Sequence, residues 1–334
     1  MQQDNLQVRI RRLPTGPIGE DDFALTQAPI PRPAEGEVLC RTRYLSLDPY
    51  MRKRLAEACA GRLPLTAGDL MMGRTIGEVV VSRDARFAPG DHVLGSAGWQ
   101  TYCAEPAAAL QKLPVGAQAL TRYLGVLGPT GITAWLGMVH VARVQPGERV
   151  VVSSAGGAVG GTAGQIARHL GAEVIGIAGG VAKCDAIVRE LGFSACVDYR
   201  QAGFEHALEL ATPDGVDVCF ENVGAAVLDA TLARMNDDGR IAVCGLLSQY
   251  QGASPYAYRH FSRVLDKGLH ISGFRINACT ALHEQARTAL RGWLDAGAIR
   301  EWETVTDGLA QAPRAFVAML QGRGRGKHLV RLMG

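Results

Sequence analysis

Short apolar runs alternate with amphipathic stretches over much of the second half of the chain. The run Val150–Gly164, VVVSSAGGAVGGTAG, begins with β-branched residues, becomes rich in glycine and then continues with a helical pattern. Further apolar runs at Glu173–Ala178 and Ala195–Tyr199, with a helical pattern at Ala182–Leu191 between them, complete one βαβαβ unit. This alternation predicts an α/β fold with a doubly wound parallel sheet.

The same alternation continues toward the C-terminus. Apolar runs predict three more strands at Val216–Glu221, Arg240–Leu246 and Leu269–Phe274. Helical patterns lie between them at Ala225–Met235 and Arg259–Lys267. Six strands with alternating helices predict a Rossmann domain of about 170 residues, which is a common domain size.

The N-terminal part is richer in prolines and in strand-like segments. Prolines punctuate Leu13–Pro33, and the segments Glu37–Leu47 and Met72–Ser82 predict strands of a twisted, partly closed sheet. Ala88–Val93 predicts a turn that enters a further strand. We therefore expect a second, mostly-β domain before the Rossmann domain.

A chain of 334 residues is too long for the Rossmann domain alone. The predicted division is a first domain at residues 1–120, with a C-terminal return at 298–334, and a Rossmann domain at 121–297. A helix around Gly131–Ala142, after Pro129, is expected to join them.

The glycines after the first of the six strands indicate a phosphate-binding turn. A pyrophosphate needs backbone N–H groups that point at it and no Cβ in the way, and Gly156, Gly157 and Gly160 supply both. Gly164 is expected to let the following helix pack close to the sheet. Tight strand-to-helix turns without a ligand also carry glycines, so the interpretation depends on the six-strand pattern around this turn.

The end of the second strand distinguishes between the two nicotinamide dinucleotides. An NAD site places an acidic residue about 20 residues after the glycines, where it binds the ribose 2′-hydroxyl. Here the strand ends in Ala178-Gly179-Gly180, without an acid, and Lys183 follows. With Tyr199 and Arg200 at the end of the third strand, this pattern favours a 2′-phosphate and therefore NADP(H).

Composition and charge exclude several other classes of function. The formal net charge is +3 and dispersed, which does not favour a nucleic-acid partner. The sequence has no secretory signal and no apolar run of transmembrane length, so we expect a cytoplasmic protein without a membrane partner. The eight cysteines are scattered singly, without a CxxC pair, so we expect reduced thiols and no metal site.

Several motifs, in the same order along the chain, carry a resemblance to a known family. The chain resembles the zinc-free branch of the medium-chain dehydrogenase/reductase superfamily, which holds prostaglandin reductases (leukotriene hydroxydehydrogenases), plant double-bond reductases and bacterial curcumin reductases. The motifs lie at Leu45–Arg52 (LSLDPYMR), Met71–Val80, Gly128–Trp135, Gly157–Ala167, Ala178–Cys184, Phe220–Gly224 (FENVG) and Cys244–Tyr250 (CGLLSQY).

The resemblance implies a GroES-like N-terminal domain, a homodimer and a set of NADP(H)-binding positions. These positions are Gly157, Ala158, Val159, Gly160, Gly179, Lys183, Tyr199, Asn222, Cys244, Gly245, Leu246, Ser248, Tyr250, Phe274 and Arg275. One position departs from the family pattern, because Gly324 stands where a C-terminal N-x-G-K stretch carries asparagine. The cofactor contact there is lost or replaced by an arginine, or the run Gly322–Lys327 is a basic surface loop.

The implied reaction is hydride delivery from NADPH to the β-carbon of an α,β-unsaturated ketone or aldehyde, with protonation at the α-carbon. Such a reaction needs a hydrogen-bond donor at the oxygen where charge develops. Tyr250 is the first candidate for that donor and for proton delivery, with the cofactor's ribose hydroxyl as an alternative, and Tyr50 is the second. Either tyrosine is alternatively a structural residue with its hydroxyl bonded to backbone.

Other functions on the same scaffold differ in the residues they need. A zinc alcohol dehydrogenase needs a cysteine near Ser46 and a Gly-His-Glu motif at Gly73–Glu78, and both are absent. A quinone reductase differs only in its acceptor, so the sequence leaves it open. A non-enzymatic, crystallin-like NADPH-binding protein would lose the donor hydroxyls, whereas Tyr50 and Tyr250 are both present.

Overall fold

A computed structural model describes residues 4–55, 64–114, 119–250 and 255–332. The chain forms two compact units, one of Met1–Leu124 with Glu303–Gly334 and the other of Gly125–Trp302. In the described ranges, no helix is long and apolar enough to cross a membrane.

The strands of the described residues fall into three sheets. They are β1 (Asn5–Ile10), β2 (Phe23–Ala28), β3 (Glu37–Leu47), β4 (Thr75–Ser82), β5 (His92–Gly95), β6 (Tyr102–Pro106), β7 (Gln111–Lys112), β8 (Arg149–Ser153), β9 (Glu173–Ala178), β10 (Ala195–Asp198), β11 (Val216–Glu221), β12 (Met235–Val243), β13 (His270–Gly273), β14 (Glu303–Asp307) and β15 (Lys327–Arg331).

The α-helices of the described residues lie between these strands along the chain. They are α1 (Tyr50–Arg54), α2 (Pro129–Trp135), α3 (Ala158–His169), α4 (Val181–Leu191), α5 (Phe204–Ala211), α6 (Ala225–Arg234), α7 (Arg263–Asp266), α8 (His283–Asp295) and α9 (Ala312–Leu320).

The second unit is built on a six-stranded parallel sheet in the order β10-β9-β8-β11-β12-β13. Counted along the unit, the strand order is 3-2-1-4-5-6, which confirms the predicted Rossmann topology. Buried apolar residues of the strands and of α6, including Val151, Ile175, Cys219 and Ile241, form its core. Because the order reverses between β8 and β11, a crevice for a ligand is expected at their carboxyl ends.

The first unit is mostly β-structure, as predicted. Strands β1 and β2 form a two-stranded sheet, and a seven-stranded sheet runs β14-β15-β3-β4-β5-β7, with β6 also paired to β3. The C-terminal strand β15 lies between β14 and β3, with His328 paired to Leu47. A core around Trp99, Phe23 and Phe316 fills one side of this unit.

Two predicted elements of the Rossmann unit were wrong in extent. The predicted helix Arg259–Lys267 is helical only over Arg263–Asp266, because Asp229 of α6 binds the backbone N–H of His260 at 2.9 Å and Nε of Arg259 at 3.1 Å. The predicted strand Arg240–Leu246 is Met235–Val243, since the N–H groups of the next two residues bond to the carbonyl of Glu221 instead of extending the ladder.

Other corrections concern element ends and one helix. The predicted helix Gly131–Ala142 is α2 followed by a π-helical segment, Leu136–Val141. The strand predicted from Met72 begins at Thr75, and the one predicted over Leu269–Phe274 is His270–Gly273. Gly164 packs against the ring of Phe193, where a Cβ would collide.

Candidate active site

The turn between β8 and α3 leads into a helix N-terminus through glycines at which a side chain would not fit. Ser154 has φ 51°, and α3 begins after Gly157 without a side-chain cap. The N–H groups of Ala158, Val159 and Gly160 lie in the first helical turn, which has no intrahelical acceptors. A Cβ on Gly160 would collide with the carbonyl oxygen of Ser154. The turn therefore has the geometry of an anion site at a helix N-terminus.

Lys183 of α4 reaches this turn. A Cβ on Gly156 would lie 2.6 Å from Lys183 Cδ and 3.1 Å from its Cγ, so the aliphatic part of the lysine lies directly on the glycine. From the sequence, Gly156 was expected to serve the turn alone. The structure shows that its missing Cβ also makes room for Lys183.

Tyr199 and Arg200 cover the end of β9. A Cβ on Gly179 would lie 2.7 Å from Arg200 Nε and 3.0 Å from Tyr199 Cε1. The guanidinium carbon lies 5.7 Å from the centroid of the tyrosine ring, within range of a cation–π contact. Gly179, Tyr199 and Arg200 are thus brought together at the carboxyl edge of the sheet.

Asp198 is an acid at this edge that the sequence analysis did not consider. Its Oδ1 accepts the N–H of Gly180 at 2.8 Å and that of Arg200 at 3.0 Å. These hydrogen bonds, that of Gly180 first, hold the pKa of Asp198 below its usual value. The carboxylate therefore shapes the turn around Gly180, and its position at the end of the third strand was the signal that could have revealed it.

Asn222 lies at the carboxyl end of β11, beside β8. Its Nδ2 donates to the carbonyl of Ser153 at 2.7 Å, and its backbone N–H donates to Ser153 Oγ, also at 2.7 Å. Asn222 is 6% exposed. These two bonds join the end of β11 to the end of β8, the two strands between which the strand order reverses.

Glu221, the last residue of β11, is a buried carboxylate next to Asn222. It was also not predicted from the sequence as a residue of the site. Its Oε1 accepts the N–H groups of Val223 and, at 2.6 Å, of Gly224. Burial raises the pKa of Glu221, and these backbone bonds oppose the rise. The signal was a glutamate at the end of an otherwise apolar strand, in the FENVG motif.

The segment Cys244–Tyr250 folds back over the end of β11. The N–H of Leu247 donates to the carbonyl of Asn222 at 2.9 Å, and the N–H of Ser248 donates to that of Val223 at 3.0 Å. A Cβ on Gly245 would lie 3.4 Å from Tyr250 Oη and 3.4 Å from the carbonyl oxygen of Asn222. The phenol of Tyr250 therefore lies at the sheet edge, close to the end of β12.

Neighbouring side chains complete this part of the edge. A Cβ on Gly224 would lie 3.0 Å from Leu246 Cδ2 and 3.2 Å from Ser248 Oγ. Burial raises the pKa of the Cys244 thiol to about 12, so the thiol stays protonated at neutral pH. Cys244 is thus a poor nucleophile.

Phe274 and Arg275 follow β13 at the same edge. The ring of Phe274 packs edge-on against Phe220, with centroids 6.3 Å apart, and also lies over Gly137. Arg275 is exposed at the start of a short 3-10 turn. Phe274 therefore has a packing role whether or not it also contacts a ligand.

Tyr50 and Gly324 belong to the first unit. Tyr50 is the first residue of α1 and is 38% exposed. Gly324 has φ +78°, and a Cβ there would collide with the imidazole of His328 and lie 3.2 Å from Thr304 Oγ1. An asparagine at this position would require these neighbours to move, which gives a steric reason for the departure from the family pattern.

No group of three or more His, Cys, Asp or Glu side chains that could hold a metal ion occurs in the described part of the chain. Ser46, at the position discussed for a zinc ligand, donates its hydroxyl to Asp48 Oδ2 at 2.5 Å.

Two family profiles match the chain. One, described as the N-terminal domain of oxidoreductase, matches residues 6–113. The other, described as zinc-binding dehydrogenase, matches residues 158–292.

Individual relatives match over almost the whole length. The NADPH-dependent curcumin reductase of Escherichia coli (strain K12) is 38% identical over 96% of this chain and 95% of its own. The NADP(+)-dependent 2-alkenal reductase of Nicotiana tabacum is 35% identical over 98% of this chain and 97% of its own. The crystal structure of CurA from Vibrio vulnificus in complex with NADPH superposes with a TM-score of 0.93, at 36% identity, over 98% of this chain and 99% of that one.

Proposed function

The chain belongs to the zinc-free branch of the medium-chain dehydrogenase/reductase family, and from this we propose that it reduces the carbon–carbon double bond of α,β-unsaturated ketones and aldehydes. The names of two relatives, a curcumin reductase and a 2-alkenal reductase, support this substrate class, because 2-alkenals are α,β-unsaturated aldehydes and curcumin carries conjugated enones.

NADP(H) is the cofactor of this protein, and the residues of the sheet edge fit it. The glycine turn before α3 offers N–H groups to a pyrophosphate. Lys183, Tyr199 and Arg200 lie around Gly156 and Gly179, where cationic and hydroxyl groups suit a 2′-phosphate. The carboxylate of Asp198 is directed at backbone N–H groups, which reduces its repulsion of that phosphate.

The observation that carries the proposed reaction is the position of Tyr250. The bonds from Leu247 and Ser248 to the backbone after β11 hold the segment that ends in Tyr250. Its hydroxyl lies near Gly245 and the carbonyl of Asn222, at the edge where the strand order reverses. A nicotinamide bound in that crevice would have a hydroxyl donor beside it.

The proposed chemistry separates the delivery of hydride from that of the proton. When bound, NADPH would supply the hydride that adds to the β-carbon, and the electrons of the double bond would then move onto the substrate oxygen as an enolate. Tyr250 would first donate a hydrogen bond to that oxygen. Its proton would then pass to the α-carbon as the enolate electrons form the C–H bond and the C=O bond re-forms, and the phenolate would regain a proton from water. Tyr50 is the second hydroxyl that we assign to substrate binding.

We also propose a homodimer joined through β13. This strand lies at one edge of the six-stranded sheet, and all four of its residues are exposed. Ile271 on this strand is 41% exposed, and Phe261 and Leu265, just before it, are 58% and 87% exposed. An edge strand with apolar side chains is a ready template for pairing with a second copy.

A panel of acceptors tests the proposed function. NADPH oxidation is followed with a medium-chain 2-enone, a matched 2-enal, a quinone and, in reverse with NADP(+), the saturated alcohol. We expect turnover of the enone and enal and none of the alcohol. Strong quinone turnover without enone turnover would instead support the quinone reductase alternative.

A further inference from the structure

Lys327 is a buried cation. It ends the run Gly322–Lys327, which was one candidate for a basic surface loop on the sequence alone. Lys327 is 3% exposed and begins β15. Its Nζ donates to the carbonyl of Leu47 at 3.0 Å and forms an ion pair with Asp48. Asp48 Oδ2 accepts the hydroxyl of Ser46. The ammonium and the carboxylate therefore each have two polar partners inside the first unit.

The ion pair is one of several links between β15 and β3. Backbone pairing already joins His328–Arg331 of β15 to Tyr44–Leu47 of β3. Removing a lysine and an aspartate from water is costly, and apolar side chains of similar size often stabilise a fold as well. A buried pair at this position thus suggests a need for a fixed geometry more than for stability.

The pair fixes the residues that lead into α1. Asp48 lies two positions before Tyr50, and its carbonyl accepts the N–H of Met51 at 3.1 Å. Pro49, with φ −58°, starts the helix and restricts the backbone between them. In the middle of α1, Arg52 Nη2 donates to the carbonyl of Gly16 at 3.0 Å. The Cα of Tyr50 is thus held relative to the Asp48 carboxylate.

We propose that Lys327 and Asp48 are a positioning pair that holds Tyr50 in place for its assigned role in substrate binding. This inference rests on the proposed function, because Tyr50 is assigned there to substrate binding. Neither member of the pair touches the substrate. Loss of the pair should let the turn before α1 shift and so weaken the contact made by Tyr50.

The same strand offers a matched control. Arg331 Nε lies 2.6 Å from Asp307 Oδ1, in an ion pair between β15 and β14 whose side chains are 46% and 53% exposed. Like the Lys327–Asp48 pair, this pair joins a cation of β15 to an aspartate. Unlike that pair, it is exposed and does not contact the turn before Tyr50.

The test compares D48N/K327M, K327M, R331M and Y50F with the wild type, using the medium-chain enone at saturating NADPH. We expect D48N/K327M to lose about tenfold in kcat/KM, as Y50F does, mainly through KM, because one substrate hydrogen bond is weakened. NADPH affinity, measured by fluorescence titration, should not change. Adding Y50F to D48N/K327M should cause little further loss, and R331M should behave as the wild type.

The double variant D48N/K327M distinguishes a loss of positioning from a loss of the folded state. K327M alone leaves a buried carboxylate without its partner and should lower Tm, whereas D48N/K327M removes both charges and should recover Tm. A folded D48N/K327M with wild-type kinetics, or a loss that adds fully to that of Y50F, would overturn the positioning role. Absence of enone turnover in the wild type would instead overturn the proposed function, and the same comparison would then be made with the quinone.

Discussion

The aliphatic side chain of Lys183 lies on the backbone of Gly156, with its Cδ 2.6 Å from the position of a Cβ on that glycine. A residue of α4 thereby closes one side of the turn to which we assign the pyrophosphate. This contact links the glycine turn to the end of β9, where Tyr199 and Arg200 cover Gly179.

Replacing Lys183 with alanine should weaken NADPH binding more than NADH binding. The ammonium is expected to form a charge-assisted bond with the 2′-phosphate, so its loss should raise the KM for NADPH about tenfold or more. Steady-state kinetics with both cofactors measure the difference. K267A, which removes a lysine paired with Asp237 at 3.0 Å, is the control. Equal losses for NADPH and NADH would place the phosphate elsewhere.

Glu221→Gln should stabilise the protein increasingly as pH rises. Burial raises the pKa of Glu221 above the ordinary 4.5, so the folded state binds more protons than the unfolded state. Its contribution to stability is therefore full below pH 4.5 and is lost as pH rises from there through the raised pKa. Glutamine carries no such charge, and its carbonyl oxygen can still accept the N–H groups of Val223 and Gly224.

Urea unfolding of wild type and E221Q at several pH values between about 4 and 8 measures this effect. The difference in unfolding free energy should grow with pH. E35Q, at an exposed glutamate paired with Arg83, should show little of this trend. A difference that is independent of pH would mean that Glu221 has the same pKa in the folded and the unfolded protein.

Tyr250→Phe should lower kcat with the enone while the protein still binds NADPH. Proton delivery by a positioned side chain typically contributes about 10² or more to the rate, and phenylalanine keeps the ring but removes the donor. Single-turnover kinetics, with fluorescence titration of NADPH, separate the two effects. Y123F, at a tyrosine packed beside the core of the first unit, is the control. An unchanged kcat would leave the ribose hydroxyl as the donor.

Ile271→Asp should convert the proposed dimer into a monomer. An aspartate on the exposed edge strand β13 would place two carboxylates in the pairing between copies. Light scattering should report the mass of two chains for the wild type and of one for I271D. Val305, 44% exposed on the edge strand β14 of the other sheet, provides the matched control V305D. A monomeric wild type would contradict the interface.

The sequence patterns predicted the Rossmann topology because each strand and helix there carries its own local signal. Val150–Ser153 and Val216–Glu221, for example, are apolar enough to be identified as buried strands. The location of the candidate site could be predicted for the same reason, since the carboxyl ends of parallel strands lie at one edge of the sheet.

Features that depend on distant partners could not be predicted in this way. Lys327 became a buried cation through Asp48, 279 residues away. The helix predicted at Arg259 was shortened by Asp229 of α6, 30 positions earlier. Neither partner is marked by periodicity, because a single charged residue carries no information about what it pairs with.

The most direct test of the account is the position of the transferred hydrogen in the product. The enone is reduced with NADPH deuterated at C4 of the nicotinamide, in ordinary water, and the product is examined by NMR. The account predicts deuterium at the β-carbon, hydrogen at the α-carbon and an intact carbonyl. Deuterium at the carbonyl carbon, in an allylic alcohol, would contradict it.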